Sequence, residues 1–69
     1  MNQQTRILNY MNKHGGITAA EAFQNLGVMR LSARIKEMRQ DGVNIITQRM
    51  EGRNRYGETV HFTKYKVMT

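Results

Sequence analysis

The periodicity of residues 17–42 constrains the fold of this chain more than any other feature. Thr18 is placed to cap a helix, and Glu21, three residues later, completes a capping box. The apolar residues of this helix recur at the spacing of one buried face, and they are Ala19, Ala22, Phe23 and Leu26. Gly27 is expected to end the helix. The segment therefore opens with a short amphipathic helix that stops at a glycine.

A second helix is predicted directly after Gly27. Its apolar stripe consists of Val28, Leu31, Ile35 and Met38, and Gly42 is suited to end it in the left-handed conformation. Arginines and lysines occupy several of its other positions, so its outward side is basic. Two short helices joined by a turn of about three or four residues form a helix-turn-helix, in which the second helix enters the major groove of DNA.

The residues before this segment predict one further helix. Thr5 is placed to cap it, and it runs to about His14, where Gly15 and Gly16 interrupt the pattern. Residues 1–4 and residue 69 are expected to be frayed. Ile17 is an isolated apolar residue, which is either a strand of one or two residues or a side chain that packs onto the next helix.

After Gly42 the pattern becomes extended. Residues 43–50 and 59–68 are rich in β-branched and aromatic side chains and contain no proline, whereas residues 51–58 have a turn composition. Ile45, Tyr65 and Val67 are predicted to face the core. Val60 and Phe62 have the opposite parity to Tyr65, which leaves two interpretations open: a bulge in the second strand, or a distal hairpin that faces elsewhere.

Three helices followed by a hairpin is the element order of a winged helix. The run LGVMRLSARIKEMRQDGVNI and the NRYGE turn make the chain resemble the winged helix-turn-helix family, and more closely the small helix-turn-helix domains of phages and prophages. The resemblance extends from about Thr5 to Val67. It implies one α+β domain over residues 1–69, with three helices followed by a two-stranded β-hairpin wing that reaches the minor groove or the backbone of DNA. Met29 stands where such proteins usually carry a capping Ser or Thr.

The charge of the chain favours a polyanionic partner. The net charge is +6. The residues from Arg30 onward contain nine of the eleven Lys and Arg residues and four of the five acids, so most of the positive charge lies in this part of the chain. If five or six cations neutralise phosphates, the logarithm of the DNA affinity should fall with the logarithm of the salt concentration at a slope of about −5.

Composition excludes other classes of protein. There is no cysteine, so disulfides and thiolate metal sites are excluded, and a reducing cytoplasm is the expected compartment. No apolar run approaches the ~20 residues that span a bilayer, and no secretory signal is recognisable, so no membrane is expected as a partner. His14 and His61 stand alone, without the spacing of metal ligands.

The candidate binding residues follow from helical geometry. Successive residues of an α-helix are rotated by 100° about its axis. If the apolar stripe of the second helix faces the core, the residues on the opposite side of the helix therefore face outward. The candidates for base contacts are Met29, Arg30, Ser32, Ala33, Lys36 and Gln40. The candidates for contacts with the backbone and the minor groove are Thr18, Arg34, Arg39, Arg53, Asn54 and Arg55.

The sequence thus predicts a DNA-binding protein that needs no cofactor or metal. The expected roles are a small transcriptional regulator or a recombination-directionality factor of a mobile element, acting on double-stranded DNA. A homodimer on DNA remains open. No catalytic constellation is present, so an enzyme is not expected. Two alternatives stay open: a winged-helix protein-interaction module, such as a phage-type inhibitor of a host protein or a nucleic-acid enzyme, and a non-specific binder of DNA or RNA.

Overall fold

The structure is a computed structural model that describes residues 2–68. Three helices and a three-stranded antiparallel sheet make it up: α1 (Gln3–His14), β1 (Ile17–Thr18), α2 (Ala19–Leu26), α3 (Leu31–Gln40), β2 (Ile45–Arg53) and β3 (Thr59–Val67). The strands lie in the order β1-β3-β2, so β1 adds to the hairpin along β3. The predicted α+β architecture is confirmed, and Ile17 belongs to a two-residue strand opposite Tyr65.

The start of α1 differs from the prediction. The side chain of Asn2 accepts a hydrogen bond from the backbone N–H of Thr5 at 2.8 Å, so Asn2 is the N-cap and the helix begins at Gln3. The predicted cap at Thr5 is therefore wrong, and so is the fraying of residues 2–4, because an Asn three residues upstream supplies the capping oxygen. Residues 1 and 69 lie outside the described residues.

Local capping chemistry fixes the other helix ends. The capping box is confirmed: Glu21 N–H donates to Thr18 Oγ1 at 3.2 Å, and Thr18 N–H donates to Glu21 Oε1 at 2.9 Å. Gly27 and Gly42 adopt φ values of +69° and +95°, as predicted for residues that end helices. The N-cap of α3 is Arg30, one residue after Met29, and its side chain makes no capping hydrogen bond.

The core lies between the helices and one face of the sheet. The predicted stripe is confirmed, since Val28, Leu31, Ile35 and Met38 are all buried. On α2, however, only Ala22 is buried and Leu26 packs at the edge of the core. Ala19 is exposed and Phe23 is 58% exposed, so the prediction for these two residues is wrong.

The reason is the position of Ala19 and Phe23 on α2. This helix of 8 residues contacts α1, β1 and α3 through the side that carries Ala22. Ala19 and Phe23 lie on one flank of the apolar stripe, and no other element of the described chain covers that flank.

The hairpin has one unbroken register, from Ile45 opposite Val67 to Arg53 opposite Thr59. No bulge interrupts it, so Val60 and Phe62 lie on the face opposite to Tyr65, and the second interpretation of their parity is confirmed. We call the face that carries Ile45 and Tyr65 the helix-side face, because both residues pack on the core, and the opposite face the outer face. The strand β2 extends to Arg53, which shortens the turn to residues 54–58.

Candidate nucleic-acid interface

The outward side of α3 carries the predicted base-contact residues. Leu31, Ile35 and Met38 are 1–3% exposed and hold the helix against the core. The opposite side and the residues before it form what we call the α3 surface, made of Met29, Arg30, Ser32, Ala33, Lys36 and Gln40. All are exposed except Ala33, which is half-buried, and Met29 is 81% exposed. The structure therefore brings the six candidates to one surface.

The acid of α3 points away from this surface. Glu37 Oε1 accepts a hydrogen bond from Gln4 Nε2 at 3.1 Å and lies 3.3 Å from Arg34 Nη1. Both contacts turn the carboxylate toward the start of α1. Arg34 is consequently half-buried on the α1 side of the helix, beside Glu37, and lies outside the α3 surface. The α3 surface itself carries two cations and no acid.

Arg39 is exposed, and its guanidinium is hydrogen-bonded to the start of β2. Its Nε and Nη2 donate to the carbonyl oxygen of Ile45 at 3.1 and 2.9 Å, and its Nη2 also donates to Thr47 Oγ1 at 2.8 Å. Its guanidinium carbon lies 6.0 Å from the ring centre of Tyr65. These contacts fix the last turn of α3 to the start of β2. Sequence reasoning proposed Arg39 for phosphate contacts and missed this structural role.

Asn54 organises the tip of the hairpin. Its Oδ1 accepts from the N–H groups of Tyr56 and Glu58 at 2.9 and 3.1 Å, and its Nδ2 donates to Glu58 Oε1 at 3.1 Å. Gly57, at φ +77°, completes the turn and accepts a hydrogen bond from Arg53 Nη1 at 2.8 Å. The tip is thus held by its own hydrogen bonds, and it presents the side chain of Arg55 to solvent.

A cleft of about 730 Å³ separates the start of α3 from β3. The α2–α3 side contributes Thr18, Ala19, Ala20, Met29, Arg30, Leu31 and Ser32, and the strand side contributes Phe62, Thr63 and Tyr65. Thr18 faces this cleft at the start of α2, where its hydroxyl accepts from Glu21 N–H. Sequence reasoning did not place Phe62 here, because its parity is opposite to that of Tyr65, which lines the same cleft. The cleft and the α3 surface share Met29, Arg30 and Ser32.

Residues 2–68 lack two further classes of site. They contain no cluster of three or more His, Asp or Glu side chains arranged to hold a metal ion. None of the helices in this range has the length and apolar character needed to cross a membrane.

Comparison with known proteins assigns the family. The model of a family described as "Winged helix-turn-helix domain" matches residues 2–69. The chain belongs to the winged helix-turn-helix family. Searches among curated proteins and among solved structures gave no match. In this winged helix the second helix of the helix-turn-helix is α3, and the hairpin β2–β3 is the wing. Folds of this class typically bind DNA through that helix.

Proposed function

We propose that this winged helix-turn-helix protein binds double-stranded DNA, with α3 in the major groove and the wing on the adjacent minor groove or backbone. The observation that carries the proposal is the α3 surface, which presents Arg30 and Lys36 while Glu37 is turned away and paired. A cationic helix face without acids is attracted to the phosphates on both sides of the groove.

The chemistry of the α3 surface suits base contacts. Arg30 can donate two hydrogen bonds to guanine, and Ser32 and Gln40 can bond to base edges. Ala33 carries a single methyl group near the middle of the surface, which permits close approach of the helix to the groove. Met29, which is 81% exposed, can contact a thymine methyl group.

The start of α3 is suited to a phosphate. The first N–H groups of a helix have no intrahelical partner, and the N-cap residue Arg30 makes no side-chain hydrogen bond to them. Thr18 lies across the cleft and presents its hydroxyl at the start of α2. A DNA strand that follows the cleft would therefore meet an arginine, a helix N-terminus and a hydroxyl.

The wing supplies the second contact. Arg55 lies at the exposed tip, and Arg53 flanks it at the end of β2. Arginine is favoured in narrow minor grooves, where the negative potential is concentrated. Because Asn54 bonds to three groups of the turn, we assign it to the shape of the tip. We assign Arg55 to the DNA contact, and Arg53 both to that contact and to the tip, since its Nη1 donates to Gly57 O.

The biological role that fits best is a small transcriptional regulator or a recombination-directionality factor of a mobile element. Its resemblance to the small helix-turn-helix domains of phages and prophages supports this role. One module of this kind buries about 600–1,000 Å² on DNA and discriminates modestly between sequences. Such a protein acts at repeated or paired sites more readily than at a single one.

Selection of bound sequences from a random duplex pool, at near-physiological salt, tests the proposal. Enrichment of a short motif is the expected result. Arg30→Ala should reduce the preference for that motif, whereas Arg55→Ala should weaken binding to motif and random duplexes alike. Lys13→Ala is the matched control, since it removes one cation from α1 beside Leu26, away from the α3 surface. The proposed interface would be contradicted if Lys13→Ala weakened binding as much as Arg30→Ala and Arg55→Ala do.

One observation favours a second candidate function, a protein-interaction module. Met29 and Phe62 are 81% and 39% exposed and line the cleft together with Ala19 and Ala20. Apolar residues of this kind suit a side chain of a partner protein. A folded protein that binds no duplex in the selection experiment would favour this candidate over DNA.

A further inference from the structure

The outer edge of β2 is an unpaired strand edge. Within residues 2–68, β2 pairs with β3 on one side and with no strand on the other. Met68 N–H donates to Asn44 O at 2.8 Å and Asn54 N–H donates to Glu58 O at 3.1 Å, at the two ends of the hairpin. Hydrogen-bonded pairs alternate in an antiparallel ladder, so the even-numbered residues of β2 bond to β3. The N–H and C=O groups of the odd-numbered residues therefore point to the free edge.

The side chains along this edge are complementary to themselves. Arg49 and Glu51 carry opposite charges on the helix-side face and flank Met50, which lies on the outer face. If a second β2 pairs antiparallel with Met50 opposite Met50, Arg49 of each copy faces Glu51 of the other. Centring the pair on Arg49 or Glu51 would instead place like charges opposite each other, which destabilises a sheet.

The monomer leaves the groups for this pairing available. The described residues give Arg49 no acidic partner within 4 Å, and Glu51 lies 3.7 Å from His61 at the exposed surface. On the outer face, Phe62 is the register partner of Met50 and is 39% exposed. Pairing at Met50 would place Phe62, Met50, Met50 and Phe62 in one row across two copies.

We propose that two copies of this chain associate through the outer edges of β2, antiparallel and centred on Met50. The paired segment runs from Thr47 to Arg53, because Arg39 already occupies the carbonyl oxygen of Ile45 on that edge. The two Ile45 residues then lie ten residues apart along the strand direction, or about 33 Å at 3.3 Å per residue.

This separation gives the dimer a use on DNA. Arg39 ties the end of α3 to Ile45, so the ends of the two α3 helices would lie about 33 Å apart along the strand direction, close to the 34 Å spacing of half-sites one helical turn apart. The DNA spacing rests on the proposed function, whereas the dimer itself does not. Both tests below are performed without DNA, so they can fail or succeed independently of DNA binding.

Cysteine cross-linking tests the register. The chain has no cysteine, so Met50→Cys introduces a single thiol. Residues in a non-hydrogen-bonded antiparallel pair have Cα atoms about 4.5 Å apart, within the range of a disulfide. Gln48→Cys is the matched control on the same face, because its two copies would lie about 13 Å apart along the strand. We expect Met50→Cys to form the cross-linked dimer at least about tenfold faster than Gln48→Cys. Equal rates, or a faster Gln48→Cys, would overturn the register.

Charge reversal tests the association, with sedimentation measured up to about 0.5 mM protein. Arg49→Glu and Glu51→Arg each place like charges in both pairs, so each should weaken dimerisation about tenfold or more. In a mixture of the two variants, one chain carries acids at both positions and the other carries arginines at both. Their heterodimer has opposite charges in both pairs, so mixing should restore association.

Two outcomes of the sedimentation experiment would refute the proposal. One is a wild-type protein that stays monomeric over this concentration range. The other is a mixture of Arg49→Glu and Glu51→Arg that is no more associated than either variant alone. Circular dichroism serves to check that each variant in the comparison is folded.

Discussion

Replacing Arg39 with alanine separates a structural role of this residue from a phosphate contact. The change removes three hydrogen bonds, two to Ile45 O and one to Thr47 Oγ1. It also removes the guanidinium that lies over the ring of Tyr65. A net hydrogen bond contributes about 0.5–1.5 kcal/mol. Two of these bonds share an acceptor and the third is exposed, so we expect the free energy of unfolding to fall by about 1–2 kcal/mol. For a domain of this size, that lowers Tm by roughly 7–14 °C.

Two measurements check this expectation. Thermal denaturation followed by circular dichroism gives the change in Tm, and a salt titration of DNA affinity gives the slope of log K against log salt. Arg39→Ala should lower Tm and leave the slope unchanged. Arg55→Ala is the control, since removing an exposed cation from the wing tip should keep Tm and make the slope less negative by about 1. The reasoning fails if Arg39→Ala keeps the wild-type Tm and reduces the slope as Arg55→Ala does.

Three further changes test the fold by chemical denaturation. Glu21→Ala removes the acceptor for Thr18 N–H and should cost about 1 kcal/mol, whereas Glu21→Gln keeps an acceptor and should cost less. Gly16→Ala should cost more than about 1 kcal/mol, because its Cβ would lie 3.0 Å from the carbonyl oxygen of Tyr65 at φ +156°. A wild-type stability for this variant would mean that β1 does not pack closely on β3. Phe23→Gln should change stability by less than about 0.5 kcal/mol, and a loss above about 2 kcal/mol would show that Phe23 is buried.

Local signals predicted the helical part of the fold. The capping box joins residues three apart, and the stripe of α3 repeats every three or four residues. Both depend on contacts within one turn, or on one face that a single partner surface covers. Gly27 and Gly42 could be assigned because a positive φ strongly favours glycine. The sequence therefore predicted which side of α3 is free, and with it the residues of the α3 surface.

Features that depend on which neighbouring element packs beside a residue could not be predicted. Arg34 lies beside Glu37, whose carboxylate is also bonded by Gln4, and Arg39 bonds to a strand that begins several residues later. A helical wheel places both arginines on the flanks of α3 but does not say what packs there. Phe23 was misassigned for the same reason. Its apolar spacing is correct, yet no element of the described chain covers that flank of α2.

In the proposed interface, the charge of the chain overstates the charge available for DNA. If Arg34, beside Glu37, and Arg39, bonded to β2, make no phosphate contact, four cations remain on the α3 surface and the wing tip: Arg30, Lys36, Arg53 and Arg55. Four neutralised phosphates correspond to a slope of log K against log salt of about −4, instead of the −5 expected from five or six cations. Two copies paired at β2 would bring eight such cations to one DNA site and a slope of about −7. The slope should therefore be measured at protein concentrations below and above the dissociation constant of the dimer, because it distinguishes one copy on DNA from two. A slope near −4 at both protein concentrations would mean that the dimer paired through β2 is not the form that binds DNA.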